Sequence, residues 1–198
     1  MHHHVSGTTP YPWPYDGDLS GPGTALLVVL PSEDGLPGPV DAQVRALGAA
    51  MRSAGGSVLL VRAAAPSVVA PDDAATPAGT TPPDDLADVA LDAGGIDAFY
   101  ASDLDLVLRT RGVRRLVLAG VGLETCVHST MRDANDRGYE CLLVVDACVP
   151  VDPDLVAAAV SSVEMSGGIF GAVGRTAAVV AALTTVPVSP VPTSGALS

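Results

Sequence analysis

The sequence predicts one α/β domain, a three-layer α-β-α fold around a doubly wound, mostly parallel sheet of five or six strands. Apolar runs such as Ala25 to Leu30 (ALLVVL) do not alternate with polar residues, which marks strands buried on both faces. Segments with apolar residues at helical spacing stand between these runs, and glycines sit where the helices should stop. Strands alternating with helices at these lengths imply right-handed crossovers and a parallel sheet.

Residues 1–23 form a Pro-, Gly- and Tyr-rich arm, including Tyr11-Pro12-Trp13-Pro14-Tyr15-Asp16, with its Trp expected to pack on the body or on a second subunit. The domain spans 24–185. Its first strand is Ala25–Leu30, followed by a helix from Val40 to Ala54 with Val44, Leu47 and Met51 on one face, ended by Gly55-Gly56. Ser57–Arg62 is the second strand. Residues 63–85 are dense in Pro, Ala, Asp and Thr and read as a low-complexity loop. Leu86–Leu91 reads as a short third strand, and Asp103–Thr110 as a helix capped by Ser102. Leu116–Ala119 is the next strand. It runs through Gly120-Val121-Gly122 and Glu124-Thr125-Cys126 into a helix from Val127 to about Arg137, closed by Gly138. Cys141–Val145 forms a further strand ending at Asp146. A helix from Leu155 to Met165, with Asp152 as N-cap, an edge strand Ile169–Val173 and a helix Arg175–Leu183 complete the domain. The tail 186–198, which contains three prolines, should fray.

A formal charge of −12 argues against a nucleic-acid partner, because phosphate binding needs clustered Lys and Arg. The sequence contains no lysine; all ten basic residues are arginines. No apolar run reaches the roughly 20 residues of a membrane span, so no membrane partner is expected. No secretion leader is legible, and three unevenly spaced cysteines suit neither a disulfide framework nor a zinc site. A cytoplasmic protein without metal or cofactor is the expectation. The dinucleotide fingerprint is absent after the first strand, where the chain reads Leu30-Pro31-Ser32-Glu33-Asp34-Gly35.

Cys126 stands where a strand and turn deliver a helix, at the carboxyl end of a parallel strand. Unpaired N–H groups there favour a thiolate and can hold an oxyanion. The opposing reading is a buried structural cysteine, the role expected of Cys141 and Cys148. His128 falls on a different helix face and suits a polar packing role better than a general base. Asp133, Asp136, Arg132 and Arg137 read as a solvated helix face, and Asp146 as a cap or an arginine partner.

Three stretches carry a resemblance: Trp13 to Gly17, Ile96 to Leu143, and Gly167-Gly168-Ile169-Phe170-Gly171. With them the chain resembles the isochorismatase-like cysteine hydrolases, and within them the biuret and ureide amidohydrolase branch. The resemblance implies a six-stranded doubly wound sheet, Cys126 as nucleophile, and an oxyanion hole shaped by Val121 and Gly122, often through a cis peptide. It also implies an Asp ending the first strand and a Lys six residues before a Phe. Those positions are Leu30 and Ala93 here. Asp34 and Arg62 match further positions of the family, and Phe99, Tyr100 and Glu124 are candidate binding residues. Beside a purely structural role, which would leave the preserved turn unexplained, two readings stay open. One is a poor or inactive hydrolase that binds a small amide, ureide or carboxylic acid, or serves as a subunit beside a paralogue or in a homo-oligomer. The other is an active amidohydrolase cleaving a C–N bond through a Cys126 thioester, with Asp34, Glu124 or Arg62 standing in.

Overall fold

A computed structural model describes residues 3–17, 19–31, 35–64 and 87–185. The described chain runs β1 (Thr24–Leu30), α1 (Gly38–Ser53), β2 (Ser57–Ala63), β3 (Val89–Ala93), α2 (Leu104–Thr110), β4 (Arg115–Val121), α3 (His128–Asp136), β5 (Glu140–Val149), α4 (Val156–Glu164), β6 (Ala172–Gly174) and α5 (Thr176–Thr185). Six strands pair in parallel in the order β3-β2-β1-β4-β5-β6, the doubly wound sheet expected. The 63–85 loop and the 186–198 tail lie largely or wholly outside the described residues.

Strand periodicity sorts the core into two layers. On one face Leu27, Val29, Leu116 and Leu118 pack against Leu104 and Leu108 of α2, Met131 of α3 and Val163 of α4. On the other, Leu26, Val28, Val117 and Leu142 pack against Val44, Leu47 and Met51 of α1 and Val179 and Leu183 of α5. Each such side chain, buried, contributes roughly 1.5–3 kcal/mol of transfer free energy. Trp13 is fully buried in the second layer, so the arm packs on the body of its own chain. Thr9 of the arm bridges antiparallel to Val173, so the arm covers part of the outer edge of β6.

Several boundaries differ from the sequence reading for local reasons. β3 begins at Val89, because the Asp88 carboxylate accepts the Val58 N–H (2.7 Å) and the Arg52 guanidinium (2.8 Å) at the strand's entrance. β5 continues past Asp146 to Val149. Its register against β4 jumps from Leu118↔Leu143 to Gly120↔Cys148, so the strand bulges and then rejoins its neighbour. Within that bulge Asp146 Oδ1 accepts from the N–H (2.9 Å) and hydroxyl (3.1 Å) of Thr176, capping α5. Asp152 accepts from Asp154 N–H (2.9 Å) and starts a 3₁₀ turn, Pro153–Leu155, ahead of α4. β6 is only Ala172–Gly174; Ile169, an expected strand residue, is exposed in the preceding turn.

Candidate functional site

The turn after β4 depends on two glycines. Gly120 has φ +136, and a Cβ there would lie 2.0 Å from the Val29 carbonyl oxygen of β1. Gly122 is left-handed (φ 78, ψ 58), and a Cβ there would lie 2.5 Å from Thr125 Oγ1. The Gly122 carbonyl then accepts from Thr125 N–H (3.0 Å) and Val127 N–H (2.9 Å), the second bond spanning five residues. Leu123–Val127, read from the sequence as the turn ahead of a helix starting at Val127, is therefore a π-helical turn, wider than an α-helical one, and it leads directly into α3. The cis peptides among the described residues are Thr9–Pro10 and Trp13–Pro14, so the Val121–Gly122 bond is trans. The Gly122 N–H is engaged by the Val149 carbonyl (2.8 Å) and is not free for an oxyanion.

Cys126 sits inside this wide turn with no solvent exposure. Burial pushes its thiol up, and the Glu124 carboxylate adds to the rise; the Thr125 hydroxyl, 4.0 Å from Sγ, and the backbone N–H of Cys126 pull the other way. Helix-terminal N–H groups thus act on the thiol, but desolvation outweighs them. The remaining cysteines behave as small apolar groups. Burial raises both thiols, that of Cys148 to about 12.

The sequence-derived candidates scatter. Leu30 ends β1 buried in the α1-side layer, whereas Ala93 ends β3 in the same apolar cluster as Cys126. Arg62 pairs in register with Leu30 on one side and Asp92 on the other. Asp34 lies outside the described residues. Glu124 does not face the sulfur as a base. Its two carboxylate oxygens accept the N–H groups of Val151 (3.1 Å) and Asp152 (2.5 Å), clamping the turn to the end of β5. Phe99 is core, stacked on Tyr139 at 5.9 Å with Arg137 4.9 Å from its ring centre. Tyr100 is exposed above Gly94 and Gly95.

Sequence reading missed a meeting of two carboxylates. Asp97 and Asp133 face each other, and burial, then the neighbouring Asp133, pushes the Asp97 carboxyl up to about 6, against the Phe99 N–H bond (3.0 Å). Acidic residues 36 positions apart carry no local sign that they will meet. His128 also has a complete set of partners. It accepts from Arg132 Nε at Nδ1 (3.2 Å), so its Nε2 proton faces Ser162 Oγ (2.9 Å), whose hydroxyl donates to the Ala159 carbonyl (2.9 Å). This ties α3 to α4, the packing role anticipated.

Residues 36–178 match the Isochorismatase domain family. A ureidoacrylate amidohydrolase, RutB of Methylorubrum extorquens, is 37% identical over 97 residues, which is 48% of this chain and 38% of that protein. The chain therefore spans well under half the length of that relative. An uncharacterized isochorismatase family protein of Escherichia coli O157:H7, YecD, is 33% identical over 154 residues, covering 66% of this chain and 82% of the relative. Among solved structures, an isochorismatase family protein of Burkholderia thailandensis superposes with TM-score 0.64 at 27% identity, over 83% of this chain and 97% of that one.

Proposed function

The chain belongs to the isochorismatase family of hydrolases, and on that premise we propose that it binds a small amide, ureide or carboxylic acid while hydrolysing it poorly or not at all. The observation that carries this reading is the state of Cys126. The thiol is buried and pushed up, and among the described residues the charge that acts on it is the carboxylate of Glu124, which raises it further. A cysteine nucleophile needs the opposite, a cation or a base that draws the proton away. The positions where the family resemblance calls for Asp and Lys hold Leu30 and Ala93, and the sequence has no lysine that could substitute. Loss of a general base alone costs about 100- to 10,000-fold in rate. On the same reading the chain works in the reducing cytoplasm, as a homo-oligomer or beside a paralogous subunit, with the exposed side of α4 and the arm as contact surfaces. Among the described residues no helix is long and apolar enough to cross a membrane.

The second reading, a Cys126 thioester amidohydrolase, is favoured by the turn itself. Gly120, Gly122 and Cys126 keep the strand–turn–helix arrangement, and the relatives include ureidoacrylate amidohydrolases. Ammonia release from a panel of small amides and ureides, measured with the wild type and with Cys126→Ser, separates the two. Background-level ammonia, together with alkylation of Cys126 only at alkaline pH, is the result expected. Release that depends on Cys126 overturns the first reading and establishes the second. Light scattering at the mass of one 19.8 kDa chain would remove the homo-oligomer.

A further inference from the structure

At the end of the sheet opposite Cys126 lies a cleft of about 330 Å³ lined by Tyr11, Tyr15, Asn135, Tyr139, Glu140 and the backbone of Gly167–Gly168. Its size falls in the range of small-molecule pockets. Tyr11 and Tyr15 meet at 78° with ring centres 5.8 Å apart, forming an aromatic corner. Gly168 is left-handed, and a Cβ there would come within 3.1 Å of Tyr11, so a glycine keeps this wall open to the ring. Glu140, the first residue of β5, stands in the corner half-buried. Its Oε1 accepts the Tyr15 N–H and, at 3.5 Å, the Tyr11 hydroxyl. Its Oε2 receives no hydrogen bond among the described residues. The nearest cation, Arg115, holds Nε 3.8 Å away and gives its short bond, 2.5 Å, to Asp16.

We propose that this cleft is a binding site for a small organic cation with an alkylated ammonium group, seated in the Tyr11–Tyr15 corner against Glu140. Aromatic faces attract such cations, and a carboxylate with unused acceptor capacity supplies the counter-charge. The net charge of −12 raises the local concentration of any cation. An anion would be repelled by the Glu140 carboxylate, which Arg115 offsets only from 3.8 Å, and a neutral ligand would leave that carboxylate partly desolvated.

Calorimetric titration of the full chain with choline, and with its neutral carbon isostere bearing tert-butyl in place of trimethylammonium, tests the assignment. Choline should bind, and the isostere should bind about ten-fold more weakly or less. Tyr15→Ala should weaken choline about five-fold, and Glu140→Gln about ten-fold. Tyr15 is 83% exposed, so its truncation leaves the fold intact even if Glu140→Gln loosens the arm. Cys126→Ser should bind choline like the wild type. Equal binding of choline and the isostere, no choline binding up to tens of millimolar, loss of binding in Cys126→Ser, or unchanged affinity in a folded Tyr15→Ala overturns the proposal.

Discussion

The two ends of the sheet have opposite chemistry. Around the carboxyl ends of β1, β3 and β4, where parallel α/β proteins place their reactions, Leu30, Ala93 and Cys126 are buried and apolar. At the amino ends the charges interlock. Arg52 pairs with Asp88, Arg109 with Asp105, Arg137 with Asp133 and Asp105, and Arg115 with Asp16 and Glu140. Part of this asymmetry follows from the fold. α1, α2 and α3 finish at the amino ends of strands, where their dipoles favour cations, and α1 and α2 carry Arg52 and Arg109 in their last turns. At the carboxyl ends the helices begin instead, so their dipoles there favour anions, a thiolate or a carboxylate among them. Arg62 stands at that end too, in register between Leu30 and Asp92, but among the described residues the charge that acts on the buried Cys126 thiol is the Glu124 carboxylate, which raises it.

Four perturbations probe this contrast. The largest expected effect is at Gly120, where a methyl group would strike the Val29 backbone; Gly120→Ala should lose at least about 3 kcal/mol in a urea melt. At the other end, Arg115→Met removes a cation only 4% exposed in its side chain, and should lose about 2 kcal/mol, tempered because Asp16 is 57% exposed. Ala93→Lys brings a cation into the apolar cluster that holds Cys126. It should speed alkylation of that thiol at pH 7 about ten-fold, and an unchanged rate would show that Ala93 cannot reach the sulfur. The smallest effect concerns Asp97. Its folded pKa, about 6, lies above its ordinary value, so folding favours the protonated form and stability falls as pH rises from about 4 through 6. Asp97→Asn keeps an oxygen for the Phe99 N–H and can donate to Asp133. Allowing for solvent screening at a half-buried site, it should gain about 1 kcal/mol at pH 8 and nothing at pH 4, read from paired melts. His128 titrates with the opposite sign. Burial, then Arg132, lowers its pKa, so its contribution is complete above the unfolded value of 6.5 and is lost as pH falls through the folded value.

Much of the molecule was legible because it is local. The β1 and β2 runs, the helical spacing of Val44, Leu47 and Met51, and the Asp152 cap each depend on neighbours in sequence, and each stands where expected. The glycine-built turn into Cys126 was legible for the same reason, although its π-helical width was not. Glu124 shows the limit. Next to a cysteine it reads as a base, yet its carboxylate is spent on two N–H groups 27 and 28 residues away. Phe99 is similar, since nothing nearby announces that it will stack on Tyr139.

By itself the sequence determined the class of fold, the position of the turn, and the absence of any lysine to activate Cys126. These follow from periodicity, glycine conformation and composition, which require no knowledge of distant partners. Only the tertiary structure decided the state of the thiol, because burial and the direction of the Glu124 carboxylate are sums over residues brought together by folding. The same holds for the tyrosine corner at Glu140, whose walls come from the arm, from the start of β5 and from the turn before β6.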